Sequence, residues 1–370
     1  MIHKERILTA SAIGEQPLRN KFAVAPMTRI TASEEGYASK RQAEYYERFA
    51  KGGFGLVITE GIYTDQKYSQ GYQFQPGLAN VEQAHAWKAV VSCVHKNDSA
   101  IFAQLMHAGA LSQGNRFSEH TAGPSAVMPK GEQLGFYYGK GNYPLPKAMT
   151  DEDIADVIEG FAKSAKRAIE ISGFDGVEIH GANGYLLDQF LTDYTNLRTD
   201  RWGGDTKKRM QLSLEVIKEV SRAVGSFVPV GIRISQGKVN DYFHKWGGGE
   251  QDAEIIFGGL NDAGIDFIHV TEFEAWKPAF KETGPSLVAL ARKYAPKAKI
   301  IANGSLHELD KAHLILESDA DIIAFGRGAL ANPDLPNLIV EQKPLREFDP
   351  AILGPIADIK DSELALIKTE

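Results

Sequence analysis

Three side chains that can take part in chemistry lie close together in the chain: His180, Asn183 and Tyr185. The histidine and the asparagine both offer N–H donors, and glycines beside them permit a tight turn that aims both donors at one substrate oxygen. Such a pair withdraws electrons through a carbonyl or nitro oxygen, and the tyrosine phenol can supply a proton to carbon. Each residue taken singly also fits a packing role, so the prediction rests on their combination.

Two glycine-containing segments further along the chain have the features of a phosphate site. The first contains Asn303 and Gly304, and the second contains Gly326 and Arg327. Glycine lets backbone N–H groups approach an anion, and the arginine adds a charge-assisted hydrogen bond. The alternative is that the glycines only make short turns and that the arginine forms a surface ion pair. Together the two segments predict a ligand that carries a phosphate.

Other polar residues suit a planar heteroaromatic ring. The amide of Gln104 matches the N–H and carbonyl edge of a flavin pyrimidine ring, and Arg233 can stabilise negative charge near flavin N1 and O2. Thr28, which follows Pro26 in the segment Pro-Met-Thr-Arg, can donate a hydrogen bond to flavin O4. Each has a structural alternative, and spacing alone leaves flavin and other phosphorylated planar ligands open.

The elements that must position these residues follow the pattern of repeated strand and helix units. Eight short apolar runs predict buried parallel strands at residues 22–25, 54–59, 100–105, 174–179, 228–233, 265–270, 299–302 and 321–325. The segments between them predict helices at residues 39–50, 81–95, 151–172, 206–224, 250–262, 286–294 and 308–317. This alternation predicts an α/β fold, a TIM (β/α)8 barrel, whose active site lies at the carboxyl ends of the strands.

The organisation of the chain favours a single domain over residues 1–370, since no linker divides it. One stretch, residues 107–148, lies between the third strand and its helix and is far longer than an ordinary loop. We expect this excursion to help cover the active site. Thr150, followed by three acidic residues, predicts the N-cap of the next helix, and Gly173 predicts its end.

Composition excludes several classes of function. The net charge of −7 and the scattered basic residues give no surface for a nucleic acid. The sequence has no apolar run long enough to span a membrane and no secretion signal at its start, so a cytoplasmic protein is expected. The single cysteine, Cys93, excludes a disulfide within the chain and any metal centre built from several thiolates, and we predict no metal site.

The residues between positions 22 and 337 resemble the Old Yellow Enzyme family of NADH:flavin oxidoreductases. The matching motifs are residues 26–29, 55–61, 104–109, 180–191, 196–204, 325–327 and 331–336. Several of these motifs are weak singly, but their order along the chain is highly specific. The resemblance implies a barrel that holds FMN non-covalently and is reduced by NADH or NADPH. It further implies reduction of the activated C=C bond of an enone, enal or nitro compound.

The resemblance also implies roles for residues of this chain. The flavin ring would be held by Pro26, Thr28, Gly61, Gln104 and Arg233, and the phosphate by Asn303, Gly304, Gly326 and Arg327. His180 and Asn183 would bind the substrate oxygen, Tyr185 would donate the proton, and Tyr72 and Trp276 would line the pocket. A monomer or a homodimer is expected.

Two residues depart from the commoner pattern of the family. Ala110 stands where many members have arginine, and Trp202 stands where tyrosine is frequent. Loss of a guanidinium removes a charge and a fork of donors, which leaves substrate preference open. The alternative interpretation of the chain is a flavin-free barrel isomerase or aldolase that acts on a sugar phosphate.

Overall fold

The computed structural model describes residues 8–367, and its centre is a closed parallel barrel. The strands are β1 (Ser11–Ile13), β2 (Gln16–Leu18), β3 (Phe22–Val24), β4 (Leu56–Ile58), β5 (Ile62–Tyr63), β6 (Ala100–Met106), β7 (Ala122–Gly123), β8 (Lys147–Ala148), β9 (Gly176–His180), β10 (Val230–Ile234), β11 (Phe267–Thr271), β12 (Lys299–Asn303) and β13 (Ile322–Phe325). Eight of them pair in the order β4, β3, β13, β12, β11, β10, β9, β6, and a β4–β6 pairing closes the ring. The predicted barrel is confirmed, and all eight predicted strands overlap the observed ones.

The helices surround this barrel and follow the strands in turn. They are α1 (Lys40–Lys51), α2 (Val81–His95), α3 (Asp151–Arg167), α4 (Leu186–Leu191), α5 (Thr206–Arg209), α6 (Gln211–Val224), α7 (Glu250–Asp262), α8 (Leu287–Tyr294), α9 (Leu309–Ser318), α10 (Arg327–Ala331), α11 (Leu335–Glu341) and α12 (Asp361–Leu364). The Thr150 side chain accepts from the Asp153 backbone N–H as predicted, and the chain leaves the helical region at Gly173. The segment predicted as one helix at residues 206–224 is helical but is interrupted at Met210, which separates α5 from α6. No helix within residues 8–367 is long and apolar enough to cross a bilayer.

The interior of the barrel changes character along its axis. The half that lies at the amino-terminal ends of the strands is apolar, and the β1–β2 hairpin closes this end of the barrel. Ile13 and Leu18 of the hairpin pack in one buried cluster with Phe102 and Phe267. Gly231 makes room for these rings, because a Cβ at that position would lie 2.3 Å from the Phe267 ring. This hairpin is not among the predicted elements. With one end closed by apolar packing, a ligand can enter only at the opposite end.

Polar side chains occupy the carboxyl-terminal half of the same interior. Alternate residues of a strand point to the same side, so each polar residue continues an inward-facing row. The strand register then aligns neighbours: Gln104 with Glu178, His180 with Arg233, Arg233 with His269, and Thr271 with Asn303. Five neighbouring strands, β6 and β9 to β12, thus bring polar groups together at one end of the barrel.

Two segments far apart in sequence meet over this end. The excursion carries β7, β8 and the aromatic residues Phe136 and Tyr137, and the backbone N–H of Ala357 donates to the Phe136 carbonyl over 2.9 Å. Glu363 of α12 is fully buried and binds the buried Arg29, which follows strand β3, in an ion pair that Arg48 also joins. The C-terminal segment is therefore bound to the loop after β3 and to the excursion.

Candidate active site

The proposed oxygen-binding residues lie at the carboxyl end of strand β9, which His180 closes. His180 is buried, and its Nδ1 accepts a hydrogen bond from the Ala182 backbone N–H over 3.4 Å. Burial, with help from the charge of Arg233, lowers the pKa of His180 well below its ordinary value. The ring is therefore neutral, carries its proton on Nε2 and can donate from that nitrogen. Asn183 has a φ of +61°, and the structure brings it to the same strand end as His180.

Two tyrosines form the wall opposite this histidine. The hydroxyl groups of Tyr72 and Tyr185 are 2.5 Å apart, and both residues are almost completely buried. The Tyr185 ring stands edge-on to the His180 ring with centroids 4.9 Å apart, while Tyr137 of the excursion packs on Tyr72 at 4.6 Å. Burial raises the pKa values of Tyr72 and Tyr185, so both phenols keep their protons at neutral pH. Tyr185 is thus a protonated acid beside His180.

Arg233 provides the positive charge of the site. Its Nη2 donates to Thr271 Oγ1 over 3.0 Å and to Asn303 Oδ1 over 2.9 Å, while Nη1 reaches the Pro26 carbonyl at 3.4 Å. Burial lowers its pKa to about 10, which still leaves the guanidinium charged at neutral pH. Its buried Nε has no hydrogen-bond partner within the described chain. A buried donor of this kind suits a ligand with hydrogen-bond acceptors.

A second buried network lies beneath the predicted flavin contacts. Gln104 Nε2 donates to Glu178 Oε1 over 2.7 Å, and His269 Nδ1 lies 2.7 Å from Glu178 Oε2. Burial lowers the pKa of His269, so its neutral ring carries the proton on Nδ1 and donates to the carboxylate. Glu178 therefore fixes the orientation of the Gln104 amide and leaves the Gln104 carbonyl oxygen as an acceptor.

The predicted phosphate residues line one cavity of about 370 Å³ at the ends of β12 and β13. Gly304 has a φ of +141°, and a Cβ there would lie 2.2 Å from the Glu272 carbonyl, so only glycine fits. The Arg327 Nη2 donates to Ser305 Oγ over 3.0 Å, and its guanidinium lies 5.6 Å from the Phe273 ring centre. Gly326 immediately precedes α10 and lines the same cavity. The cavity thus combines two glycines and one arginine, the residue types on which the predicted phosphate site rests.

The remaining predicted residues are only partly gathered at this site. Gly61 is buried, and a Cβ at that position would lie 2.5 Å from Met106 Sδ, so the glycine lets Met106 pack against the chain. The Gly61 carbonyl accepts from Gln75 Nε2 over 2.7 Å. The Thr28 carbonyl accepts from the Tyr137 hydroxyl over 3.4 Å. Trp276, in the loop after β11, packs against the main hydrophobic core, and Lys311 Nζ is 5.5 Å from its ring centre.

The two departures from the family pattern lie in different places. Ala110 lines a small cavity of about 20 Å³ together with Lys238 and Gly184, beside the loop of Asn183. Trp202 is buried, and its Nε1 donates to Asp151 Oδ1 over 3.0 Å at the start of α3. Of the two, only Ala110 adjoins the candidate site.

A barrel with a polar interior at its open end, a protonated tyrosine and a cavity lined by glycines and an arginine has the organisation of a flavin-dependent oxidoreductase. The sequence profile of the NADH:flavin oxidoreductase / NADH oxidase family matches residues 9–346. The chain therefore belongs to this family, the Old Yellow Enzyme family, and its cofactor is FMN. The flavin-free isomerase or aldolase alternative is rejected.

Three similar proteins illustrate the relationship. The chain is 33% identical over 353 residues to a probable flavin mononucleotide-dependent alkene reductase of Leishmania infantum, with 92% of this chain and 91% of the relative covered. The solved old yellow enzyme homologue of Zymomonas mobilis is 28% identical with a TM-score of 0.84, covering 98% of this chain and 99% of that one. Morphinone reductase in complex with tetrahydroNAD is 29% identical with a TM-score of 0.82, covering 94% and 93%.

Sequence reasoning missed several residues that build the site. Glu178 and His269 lie inside β9 and β11, before the closing residues of those strands, and Thr271 closes β11. The available signal was their spacing, since polar residues at alternate strand positions face one side. Tyr137 lies in the excursion, where no periodic pattern indicates which side chain turns inward.

Three buried histidines predict a loss of stability in mild acid. Burial lowers the pKa values of His107, His180 and His269 below 6.5 in the folded protein. As the pH falls through 6.5, the unfolded chain binds protons that the folded protein does not, which favours unfolding by up to about 1.4 kcal/mol per histidine for each pH unit. His95 and Glu60 oppose this, since a side-chain hydrogen bond and burial respectively raise their pKa values. We expect the free energy of unfolding, measured in urea, to be smaller at pH 5.5 than at pH 7.5.

A matched variant tests the cause of this pH dependence. His85 is exposed on α2, and His85→Gln should leave the difference between the two pH values unchanged. Equal free energies of unfolding at pH 5.5 and 7.5 in the parent protein would show that the buried histidines do not control the stability of the protein in this pH range.

Proposed function

We propose that this protein reduces the activated C=C bond of an α,β-unsaturated carbonyl or nitro compound at the expense of NADH or NADPH. The observation that carries the proposal is the arrangement of a neutral histidine donor beside a buried, protonated Tyr185. The printed name of the Leishmania relative, an alkene reductase, supports the same chemistry.

The residues present fit an FMN. Contacts for the ring would come from Arg233, whose buried Nε has no partner within the described chain. Contacts for the phosphate would come from the cavity at Gly304 and Arg327. When bound, FMN supplies hydride from its N5 atom to the β-carbon of the substrate. Arg233 would hold the ring with its positive charge, and Gln104, oriented by Glu178, would bind the ring through its amide.

The chain's own residues perform the rest of the reaction. His180 Nε2 and the Asn183 amide donate to the substrate oxygen and stabilise the charge that accumulates on it. Tyr185 donates its hydroxyl proton to the α-carbon, on the side of the substrate that faces the tyrosine pair. Tyr72 and Tyr137 exclude water from this wall. We propose that the nicotinamide coenzyme uses the same pocket before the substrate enters.

An absorption spectrum of the FMN-loaded protein tests the proposal. Under anaerobic conditions, NADPH or NADH should bleach the yellow colour, and 2-cyclohexenone should restore it. Cyclohexanone, which has the same ring without the C=C bond, is the matched control and should restore no colour. A reduced protein that only oxygen reoxidises would contradict alkene reduction.

A further inference from the structure

A buried ion pair lies directly behind the proposed oxygen-binding site. The ammonium of Lys238, in the loop after β10, is 2.7 Å from Asp188 Oδ1 of α4. The two side chains are 3% and 0% exposed, so neither charge is solvated by bulk water. A buried charge that loses its partner is strongly destabilised, which ties the positions of the two segments together.

Asp188 uses its second oxygen on the turn that carries Asn183. The backbone N–H of Gly184 donates to Asp188 Oδ2 over 2.6 Å, while the Thr192 hydroxyl donates to Oδ1 over 3.2 Å. One carboxylate therefore joins Lys238 to the peptide that links Asn183 to Gly184.

The loop of Lys238 holds Asn183 from the other side. The Val239 N–H donates to the Asn183 carbonyl over 3.0 Å, and the Asn183 N–H donates to Ser235 Oγ over 2.9 Å. Asn183 has a φ of +61°, a conformation that costs a residue with a side chain free energy and persists only where its surroundings impose it. Both sides of this strained residue are thus fixed by hydrogen bonds.

We propose that Lys238 is a positioning residue for the substrate oxygen. By neutralising Asp188 it fixes the loop and the turn between which Asn183 is held, and so aims the Asn183 amide at the same oxygen as His180. The inference rests on the proposed function, since it assumes that Asn183 contacts the substrate oxygen. Lys238 acts through Asn183 and touches neither the substrate nor the flavin.

Three variants in FMN-loaded protein test the role. Lys238→Met keeps the length of the side chain without its charge, Lys238→Arg keeps the charge, and Lys130→Met removes a lysine from an exposed ion pair with Asp241 beside the same loop. The affinity for 4-hydroxybenzaldehyde, whose oxygen atoms can accept from the two donors, is measured by titration calorimetry. FMN content, the melting temperature and the kcat and KM for 2-cyclohexenone are measured in parallel.

We expect Lys238→Met to weaken 4-hydroxybenzaldehyde binding and raise KM at least tenfold while FMN stays bound. Lys238→Arg should recover most of this loss, and Lys130→Met should stay within twofold of the parent. If Lys238→Met does not fold, Lys238→Gln, which retains a hydrogen-bond donor, should show the same loss. A Lys238 variant that lowers the melting temperature but binds the aldehyde normally would make the pair merely structural and overturn the inference. A parent protein that binds no aldehyde and reduces no enone would instead contradict the proposed function.

Discussion

Replacement of Tyr185 by phenylalanine should lower the rate of 2-cyclohexenone reduction by about 10²- to 10⁴-fold, the usual contribution of a positioned general acid. The buried hydroxyl of Tyr185 lies 2.5 Å from that of Tyr72, and burial keeps its proton in place. Phenylalanine preserves the ring and its edge-on contact with His180 but has no proton to give. Reduction of the flavin by NADPH needs no such proton, so its rate should change little in a stopped-flow experiment.

The separation of the two half-reactions makes this prediction specific. Tyr294, on α8, has an exposed hydroxyl that donates to Glu250 of α7. Tyr294→Phe removes this hydroxyl and should leave both rates unchanged. A Tyr185→Phe protein that reduces the enone at the parent rate would assign the proton to another donor. If both half-reactions slow equally, the tyrosine shapes the pocket and is not its acid.

Replacement of Arg233 by methionine should weaken FMN binding by about 10- to 100-fold, since a hydrogen bond from a charged group contributes about 1.5–3 kcal/mol. Arg233 is buried, organises Thr271 and Asn303, and has an Nε without a partner within residues 8–367. Methionine fills a similar volume without donors or charge. The change is measured as the dissociation constant of FMN for apoprotein by fluorescence titration.

Arg222 is the matched control for this substitution. Its side chain is 78% exposed on α6 in an ion pair with Glu219, and Arg222→Met should leave FMN affinity unchanged. The variant Arg233→Lys keeps the charge but not the planar fork of donors, so an intermediate affinity is expected. Parent-like FMN affinity in Arg233→Met would place the flavin elsewhere in the barrel.

The barrel could be predicted from the sequence because its signals are local. Apolar runs such as Phe267–Thr271 alternate with helices that carry their own caps, as at Thr150, and a parallel arrangement follows from that order. The hairpin at Ser11–Ile13 and Gln16–Leu18 was missed because each of its strands is only three residues long and buries a single side chain, Ile13 or Leu18. Its role depends on the barrel that it closes.

The candidate site could be predicted where its residues share one turn, or where they follow neighbouring barrel strands as Gly304 and Gly326 do. One turn carries His180, Asn183 and Tyr185, so their closeness in sequence predicts that they are close in space. The contact between Tyr72 and Tyr185 joins residues 113 positions apart, so no local sequence pattern predicts it. The ion pair of Lys238 with Asp188 could not be predicted from local sequence either, because a lysine in a loop is usually exposed and only the fold brings Asp188 beside it.

The ion pair between Arg29 and Glu363 has a consequence for the order in which the protein is assembled. The two residues are 334 positions apart, and Arg29 is buried beside the loop that forms one wall of the pocket. While Glu363 is still inside the ribosome, a nascent barrel would have to bury Arg29 without its carboxylate, at a cost of about 3–5 kcal/mol. The barrel strands can pair earlier, but that wall is completed only after translation has passed Glu363.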